Sequence, residues 1–465
     1  MIGSKQLVID ASEFLKGMSV NEELADAGFS PSTEGVNLTK TPGVIYAPAI
    51  QVDGDSDVIL DDEIIASCPD HAAASPSDRL VVTADGDFMR FNGTKLLDVT
   101  GGQDTTQAYA KGFTDIVNFD AETYATSKEY LARWSGTETF NFQFAAMTNT
   151  ALPHPLVVFE NNLYIADGNL LKRMTAAAAA PATILTLATN EFIQALGIDP
   201  TSGKILVSVV YGQNISGLIS RTNKVLWYDG FSNKVIKSIV VEDMVTAFHN
   251  HSGNVVVGYG TSLGILTGSG IRFLRKLNNV SLLSTELPYK HNFASIGNTM
   301  YVVDKTKVLA YGPVFGNNIF YYAMTNKVNS NAIDCIFNAG SGKLGFSTAT
   351  SKFYTMDTTS VATLNKLNFY TNFYSFPRPI LIRNVYLEYV DLIASTANIA
   401  LTIQWEDRSN PFSLSTEDGT LTNVRFADYI GITDDKKVRS LQVTVSNTTE
   451  NDGLKRIIVY YDFVE

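Results

Sequence analysis

The sequence places one serine in the glycine pattern of a nucleophile elbow. Gly260-Thr261-Ser262-Leu263-Gly264 matches GxSxG. In hydrolases that use this elbow, the serine lies between a strand and a helix, and an acid and a histidine follow it along the chain. Here the segment after Ser262 has the pattern of a strand, and His291 is the one histidine beyond it. We therefore interpret the motif as a glycine-rich strand and turn.

A second glycine-rich segment has part of the spacing of a phosphate-binding loop. Gly340-Ser341-Gly342-Lys343 ends in Gly-Lys, but its first glycine is misplaced and Leu344 stands where a Mg²⁺-binding Ser or Thr belongs. A nearly identical Ser202-Gly203-Lys204 lies in another hairpin. Two copies at equivalent places of a repeat indicate turns, so we predict no nucleotide site.

One acidic run has the alternating spacing of a calcium loop. Asp53, Asp55 and Asp57 would be its first three ligands, but Val58 occupies the sixth position, where glycine is needed. Ile64 occupies the twelfth, where a bidentate Glu belongs. The pattern favours a solvated acidic turn.

Other residue types that could do chemistry are sparse. His249 and His251 would point the same way on a strand, yet two imidazoles without a third ligand make a poor zinc site. Glu122, Glu129 and Glu138 lie on loops of one repeat unit, and paired carboxylates hydrolyse glycosides, but nothing distinguishes these from surface acids. We therefore predict no catalytic residue, no cofactor-binding residue and no metal ligand.

The composition is that of sheets with large covered faces. Charged residues make up 18% of the chain and aromatic residues 11%, and the net charge is −12. No segment gathers Lys and Arg into a stripe, which argues against gripping nucleic-acid phosphates but is compatible with a wall that DNA slides past. Cys68 and Cys335 are too few for a disulfide framework, which indicates a reducing place of synthesis. We expect neither a secretory signal nor a membrane-spanning segment.

The elements that would position these residues fall into three ranges. Residues 1–75 predict an extended N-terminal arm with one or two short helices between Ser12 and Ala27. Residues 76–365 repeat a phrase of strand, turn and strand, with Asp-Gly and Asn-Gly turns that are strong hairpin signals. Residues 366–465 predict a small antiparallel β-sandwich, with the prolines of Phe376-Pro377-Arg378-Pro379 marking the boundary region.

The middle range has the period of a β-propeller. Hairpin phrases begin near residues 154, 192, 245, 291 and 332, at spacings of 38, 53, 46 and 41, and two further units fit at 78–101 and 108–147. A propeller blade of four strands takes about 40 to 50 residues. The fold class is therefore mainly β, with a six- or seven-bladed β-propeller between the arm and the sandwich. A pair of sandwiches is the alternative.

Three stretches resemble a known family, the tail hub or nozzle proteins of short-tailed bacteriophages, also called packaged-DNA stabilisation proteins. They are Val36–Val44, then Pro155–Phe159 with Leu163–Asn169, and Ser375–Ile380 leading to Arg383, Val385 and Glu388-Tyr389. The family has an N-terminal arm and a propeller, and similar phage virion proteins add a sandwich. No diagnostic blade signature accompanies the resemblance.

The resemblance implies a structural virion protein without enzymatic activity or cofactor. It implies a homo-hexameric ring in the tail or neck, assembled in the host cytoplasm, with portal and adaptor above and a needle, fibre or tail-tip protein below. Packaged DNA would pass the lumen without specific binding. The alternative function is a propeller-based binding module for a host surface glycan or a partner protein. A propeller hydrolase is the third.

Overall fold

The computed structural model describes most of the chain. The described residues are 5–10, 38, 45, 49–52, 64–73, 78–84, 86–91, 96–98, 112–136, 140–211, 223–232, 234–277, 289–314, 317–324, 333–348, 352–358, 368–370, 374–390, 399–404, 412–415, 429–431, 437–447 and 453–464. Within them the chain forms strands and one 3₁₀ turn, Tyr289–Asn292. A search of these ranges for helices long and apolar enough to cross a membrane found none.

The strands are numbered along the chain. Those of the N-terminal half are β1 (Lys5–Asp10), β2 (Ala49–Val52), β3 (Ile64–Pro69), β4 (Arg79–Thr83), β5 (Phe88–Phe91), β6 (Leu96–Asp98), β7 (Phe113–Phe119), β8 (Glu122–Ser127), β9 (Tyr130–Trp134), β10 (Asn141–Ala146), β11 (Leu156–Phe159), β12 (Asn162–Asp167), β13 (Leu170–Met174), β14 (Ala182–Thr186), β15 (Glu191–Asp199), β16 (Lys204–Tyr211), β17 (Asn223–Tyr228) and β18 (Val235–Val241). Those of the C-terminal half are β19 (Val245–His251), β20 (Asn254–Tyr259), β21 (Ser262–Leu266), β22 (Ile271–Lys276), β23 (Phe293–Ile296), β24 (Thr299–Asp304), β25 (Lys307–Val314), β26 (Asn317–Met324), β27 (Ile333–Gly340), β28 (Lys343–Thr348), β29 (Lys352–Asp357), β30 (Asn368–Tyr370), β31 (Tyr374–Val390), β32 (Ile399–Gln404), β33 (Phe412–Ser415), β34 (Tyr429–Gly431), β35 (Lys437–Asn447) and β36 (Gly453–Phe463).

Seven four-stranded sheets, here called blades 1 to 7, confirm the predicted propeller. Blades 1 to 6 each take four consecutive strands, from β3–β6 to β23–β26, and blade 7 has the order β2-β29-β28-β27. The described residues therefore hold seven blades, the upper of the two predicted numbers. The outer strand of blade 7 comes from Ala49–Val52, inside the segment predicted as an arm.

Local turn chemistry explains why the hairpins fall where the sequence predicts them. The inner strands of blades 3 to 7 begin within two residues of the predicted starts. Between β11 and β12, Glu160 and Asn161 have φ of 45° and 55°, and between β15 and β16 Gly203 has φ of 59°. Such left-handed conformations suit Gly and Asn and close tight turns between antiparallel strands.

The innermost strands of the seven blades meet in a closed circuit. Each of β3, β7, β11, β15, β19, β23 and β27 contacts the next, and β27 contacts β3. All seven lie in one of two compact units of the chain, Val52–Lys305 with Asn331–Tyr354. Buried apolar clusters lie between blades 1 and 2, 2 and 3, 3 and 4, 4 and 5, and 7 and 1. A single blade cannot cover both of its faces, so neighbours do so in turn.

A repeated bulge shapes the start of the inner strands. In five blades one extra residue interrupts the register, at the second position of the strand in four of them and at the fourth in β15; the five residues are Ile65, Thr114, Gln194, Thr246 and Asp334. Such bulges bend the strand and increase its twist.

Buried hydroxyls tie neighbouring blades together just beyond these bulges. Thr126 donates to the His154 carbonyl at 2.8 Å, and Ser208 donates to the Val245 carbonyl at 2.6 Å. Each hydroxyl lies on the second strand of one blade, and each carbonyl lies at or just before the inner strand of the next. We call these contacts the inter-blade clasps. A buried carbonyl left without a donor costs about 1–3 kcal/mol, so the clasps favour one spacing of the blades.

The C-terminal strands form one connected set of eight rather than two separate sheets. The order is β1-β36-β31-β35-β32-β33, with β30 on β35 and β34 on β31. Its longest strands are β31, β35 and β36. Strands β31 and β35 change partners along their length, which is how two packed layers share a strand.

The chain divides into two compact units. The second compact unit groups Met1–Gln51 with Thr306–Ser330 and Thr355–Glu465, and β1 pairs along its whole length with β36. The prolines predicted to end the propeller lie inside β31, where the register slips between Ser375 and Ile380. That irregular stretch accommodates residues without an N–H donor. The predicted short helices between Ser12 and Ala27 lie outside the described residues.

Candidate functional site

The 3₁₀ turn Tyr289–Asn292 lies against the inner strands of the propeller blades. The turn contacts the inner strands of blades 1, 5, 6 and 7. Its lysine and histidine reach the inner strands of blades 2 and 3, because Lys290 Nζ pairs with Asp115 and donates to the Leu156 carbonyl at 2.8 Å. Four residues thus link six of the seven inner strands.

Asp115 is the acceptor at the centre of this arrangement. Its side chain is fully buried and accepts from His291 Nε2 and from the backbone N–H groups of Ile116 and Leu156, each at 2.7 Å. Burial alone would raise the pKa of Asp115, but the Lys290 charge and the His291 hydrogen bond hold it below its ordinary value. Burial lowers the pKa of His291. The carboxylate is therefore ionised and its oxygens are occupied by hydrogen-bond donors, which suits a structural role.

The two glycine motifs are hairpins, as interpreted from the sequence. Ser262 opens β21 after a two-residue turn and pairs with Tyr259 and Lys276, so no helix follows it. Gly340, Ser341 and Gly342 have φ of 82°, 49° and 77° and connect β27 to β28. A left-handed turn of this kind joins two strands and does not open a helix.

The two histidines of β19 do converge, as their spacing predicts. His249 Nε2 lies 2.7 Å from Ser295 Oγ, and His251 Nδ1 lies 3.3 Å from the same oxygen. Burial and the neighbouring imidazole lower the pKa of His249 to about 4, and burial lowers the pKa of His251. Both rings are neutral near pH 7, and one hydroxyl satisfies a nitrogen of each.

The candidate carboxylates are placed unevenly. Glu122 is buried and binds Arg133 and the Tyr124 hydroxyl, and these hydrogen bonds keep its pKa low. The Glu129 carbonyl accepts the N–H of Met147 at the edge of blade 2. Glu138 and the aspartates at 53, 55 and 57 lie outside the described residues. The structure therefore does not test the calcium-loop spacing. Cys68 and Cys335 are both buried free thiols.

A concave feature lies between blades 4 and 5. It is a cleft of about 400 Å³ lined by the β15–β16 and β19–β20 turns, by β17 and β18, and by the start of the β21–β22 turn. Its lining residues include Asp199, Lys204, Trp227, Ile236, Lys237 and Leu266. The sequence analysis did not single out any of these as functional.

Strand register shows which side chains face this cleft. Lys237 pairs with Trp227, which pairs with Leu206, so the three lie on one face of blade 4. Trp227 belongs to the apolar cluster between blades 4 and 5, which makes this the face toward blade 5. We call the space bounded by this face of blade 4 and the facing side of blade 5 the blade 4–5 groove.

Blade 5 carries one exposed phenylalanine on the side that faces blade 4. Phe273 on the outer strand pairs with Gly264, which pairs with Val257 of the same apolar cluster. Phe273 therefore lies on the face toward blade 4, at the outer edge, where it is 57% exposed. Ile236 lines the cleft and is 55% exposed, whereas Phe273 is not among the lining residues. Large apolar side chains this exposed beside a concave cleft are typical of binding surfaces.

The charge of the cleft comes from its lysines. Asp199 accepts the Trp227 indole N–H at 2.9 Å, the Ser202 hydroxyl at 2.7 Å and two backbone N–H groups. Burial would raise its pKa, but these hydrogen bonds lower it, so the carboxylate is ionised and occupied by internal donors. Lys237 Nζ lies 4.7 Å above the Trp227 ring. Among the described residues neither Lys204 nor Lys237 forms an ion pair.

Comparison with known proteins gives likenesses of fold only. No family model matches the chain. No curated protein matches it either. Among solved structures, YCF48 bound to D1 peptide is similar at 10% identity and a TM-score of 0.45, over 67% of this chain and 99% of that one. YCF48 from Cyanidioschyzon merolae is similar at 10% identity and a TM-score of 0.40, over 66% and 98%. The role of the groove is therefore inferred from its own residues.

Proposed function

We propose that this chain is a non-enzymatic protein-binding module and that the blade 4–5 groove is its docking surface. One observation carries the proposal. Ile236, which is more than half exposed, lines a cleft with Trp227 and two lysines that form no ion pair with another described residue. Phe273, also more than half exposed, lies on the face of blade 5 that is turned toward blade 4. Aromatic and aliphatic side chains around a partly open cleft are the usual anchors of a protein interface.

The centre of the propeller favours binding over catalysis. A propeller hydrolase needs facing carboxylates with room for substrate. Asp115, the carboxylate that pairs with the turn at 289–292, is bound by Lys290, His291 and two backbone N–H groups. Its surroundings support a structural role for that carboxylate.

The test compares two equally exposed phenylalanines. Neither lines the cleft itself, but Phe273 lies on the face of blade 5 toward blade 4, whereas Phe231, also 57% exposed, packs near Arg173 of blade 3. Short peptides selected from a random display library on the wild-type chain serve as the probe, and Trp227 emission reports occupancy of the cleft. We expect Phe273→Ser to abolish binding of the selected peptides and Phe231→Ser to preserve it.

The opposite result refutes the proposal. If no peptide is selected, or if both variants bind the selected peptides as the wild type does, the groove is not a docking surface. Equal melting temperatures of the two variants show that lost binding does not reflect unfolding.

The phage-tail role is the more specific form of the proposal. It is supported by the resemblance of Val36–Val44 and the other quoted stretches, and the propeller part of that resemblance is present in the sheets. In this role the groove receives a neighbouring virion protein. Electron microscopy of the purified chain tests it: rings are expected, and a monomer that does not assemble with any tail protein contradicts it.

A further inference from the structure

We infer that the segment bound in the blade 4–5 groove is an extended, acidic stretch of a partner protein that carries two carboxylate side chains at alternate positions. This inference rests on the proposed function and adds the chemistry of the partner. It comes from three features of the groove, which are the free charge of its lysines, their spacing and the charge of the surrounding blades.

The first feature is that neither lysine forms an ion pair with another described residue, although the Lys204 charge also acts on Asp229 and Lys237 lies over the Trp227 ring. Asp199, the acid nearest to both lysines along the strands, has its oxygens occupied by Ser202, Trp227 and two backbone N–H groups. Lys204 pairs in register with Asp199 and Lys237 with Trp227, so both lie on the face toward blade 5. Two cations beside an apolar cleft favour an anionic ligand.

The second feature is the separation of the two lysines. Lys204 lies on β16 and Lys237 on β18, with β17 between them. Lys237 is level with Leu206, two residues along β16 from Lys204, so two strand spacings and this offset together amount to roughly 12 Å, which is too far for one carboxylate to pair closely with both. Alternate side chains of an extended segment are about 7 Å apart, and flexible lysine side chains can close the difference. An extended segment with acids two positions apart therefore fits better than a single terminal carboxylate.

The third feature is the local excess of positive charge. The whole chain has a net charge of −12, yet residues 191–276, which form blades 4 and 5, contain eight Lys and Arg against five Asp and Glu. Arg272 and Lys276 are exposed on the outer strand of blade 5, beside Phe273. An acidic partner is attracted to this part of the surface and repelled by the acidic remainder, which directs it to the groove.

The experiment uses defined peptides and charge-reversal variants of the full chain. The probe is a short fluorescent peptide with two Asp at alternate positions followed by Leu, and its control has Asn at both positions. We expect the Asp peptide to bind the wild type and to weaken as salt is raised. Lys204→Glu and Lys237→Glu should each weaken it about tenfold or more, because each loses one charge pair and adds a repulsion. Lys234→Glu, at an exposed lysine outside the cleft lining, makes the same change in local charge and should weaken binding far less than either groove variant.

Each other outcome separates this inference from the proposed function. One outcome is that the Asn peptide binds equally and the lysine variants change nothing, while Phe273→Ser abolishes binding. The groove then binds protein without recognising acidic side chains, and only this inference is refuted. If amidating the peptide terminus abolishes binding and Asn substitution does not, a terminal carboxylate is recognised and the inference falls. Displacement of the peptide by single-stranded DNA, or lysine-dependent self-association in light scattering, also overturns it. If no peptide binds and Phe273→Ser has no effect on any ligand, both fall.

Discussion

Replacing Asp115 by Asn tests whether the turn at 289–292 holds the inner strands together. The substitution keeps the shape of the side chain and removes its charge. Lys290 then retains the Leu156 carbonyl but loses its counter-charge, with only 21% of its side chain exposed to water. An amide has one acceptor oxygen where the carboxylate has two, so donors from His291 and the backbone compete for it.

The expected cost follows from the burial of this pair. Removing one partner of a buried ion pair costs about 3–5 kcal/mol, because the remaining charge is left without compensation. For a unit of this size, each kcal/mol lowers the melting temperature by about 2–4 °C, so we expect a fall of roughly 6–20 °C. Adding Lys290→Met removes the orphaned ammonium, and the double variant should recover part of that loss.

The assay is thermal unfolding followed by tryptophan emission, since Trp134 and Trp227 both lie in the blades. Glu191→Gln is the matched control, because it removes a peripheral pair with Lys224 at 2.7 Å whose side chains are 16% and 32% exposed. Such a pair is worth at most about 1 kcal/mol. If Asp115→Asn melts within the range of this control, the turn does not stabilise the circuit of inner strands and the structural reading of Asp115 is wrong.

Three further predictions concern the same blades. Ser208→Ala removes an inter-blade clasp and leaves the Val245 carbonyl unpaired, so urea unfolding should show a loss of about 1–3 kcal/mol; an unchanged midpoint would contradict the clasp. Gly197→Ala places a Cβ 2.4 Å from the Cβ of a facing phenylalanine and should destabilise by about 1–3 kcal/mol in the same assay, whereas Gly270→Ala meets nothing within 4 Å and should be neutral. The pKa of His249 is about 4 in the folded chain and 6.5 when unfolded, so the unfolded state takes up the proton first as the pH falls. The free energy of unfolding therefore decreases between pH 6.5 and pH 4, by roughly 3 kcal/mol from this group. His249→Gln should reduce the difference between melting temperatures at pH 7 and pH 4.5, and an unaltered difference would refute this assignment.

Much of the propeller can be predicted from short stretches of the sequence. The phrase Leu156–Phe159, a short turn and Leu163–Ala166 predicts its hairpin because turn residues and alternating side chains act within a few positions. The spacing of His249 and His251 likewise predicts that they share a face, and both meet Ser295. Repeat spacing then gives six or seven blades, since one blade cannot bury both faces.

What the tertiary structure alone decides are the pairings between distant segments. No local pattern tells that Ala49–Val52 joins the last blade or that Lys5–Asp10 pairs with a strand more than 440 residues away. The same holds for Lys290 and Asp115, and for the groove, whose Lys237 and Leu266 line one cleft only when two blades pack side by side. These contacts depend on which surfaces come together after the hairpins form, and hairpins of similar sequence offer many equivalent edges.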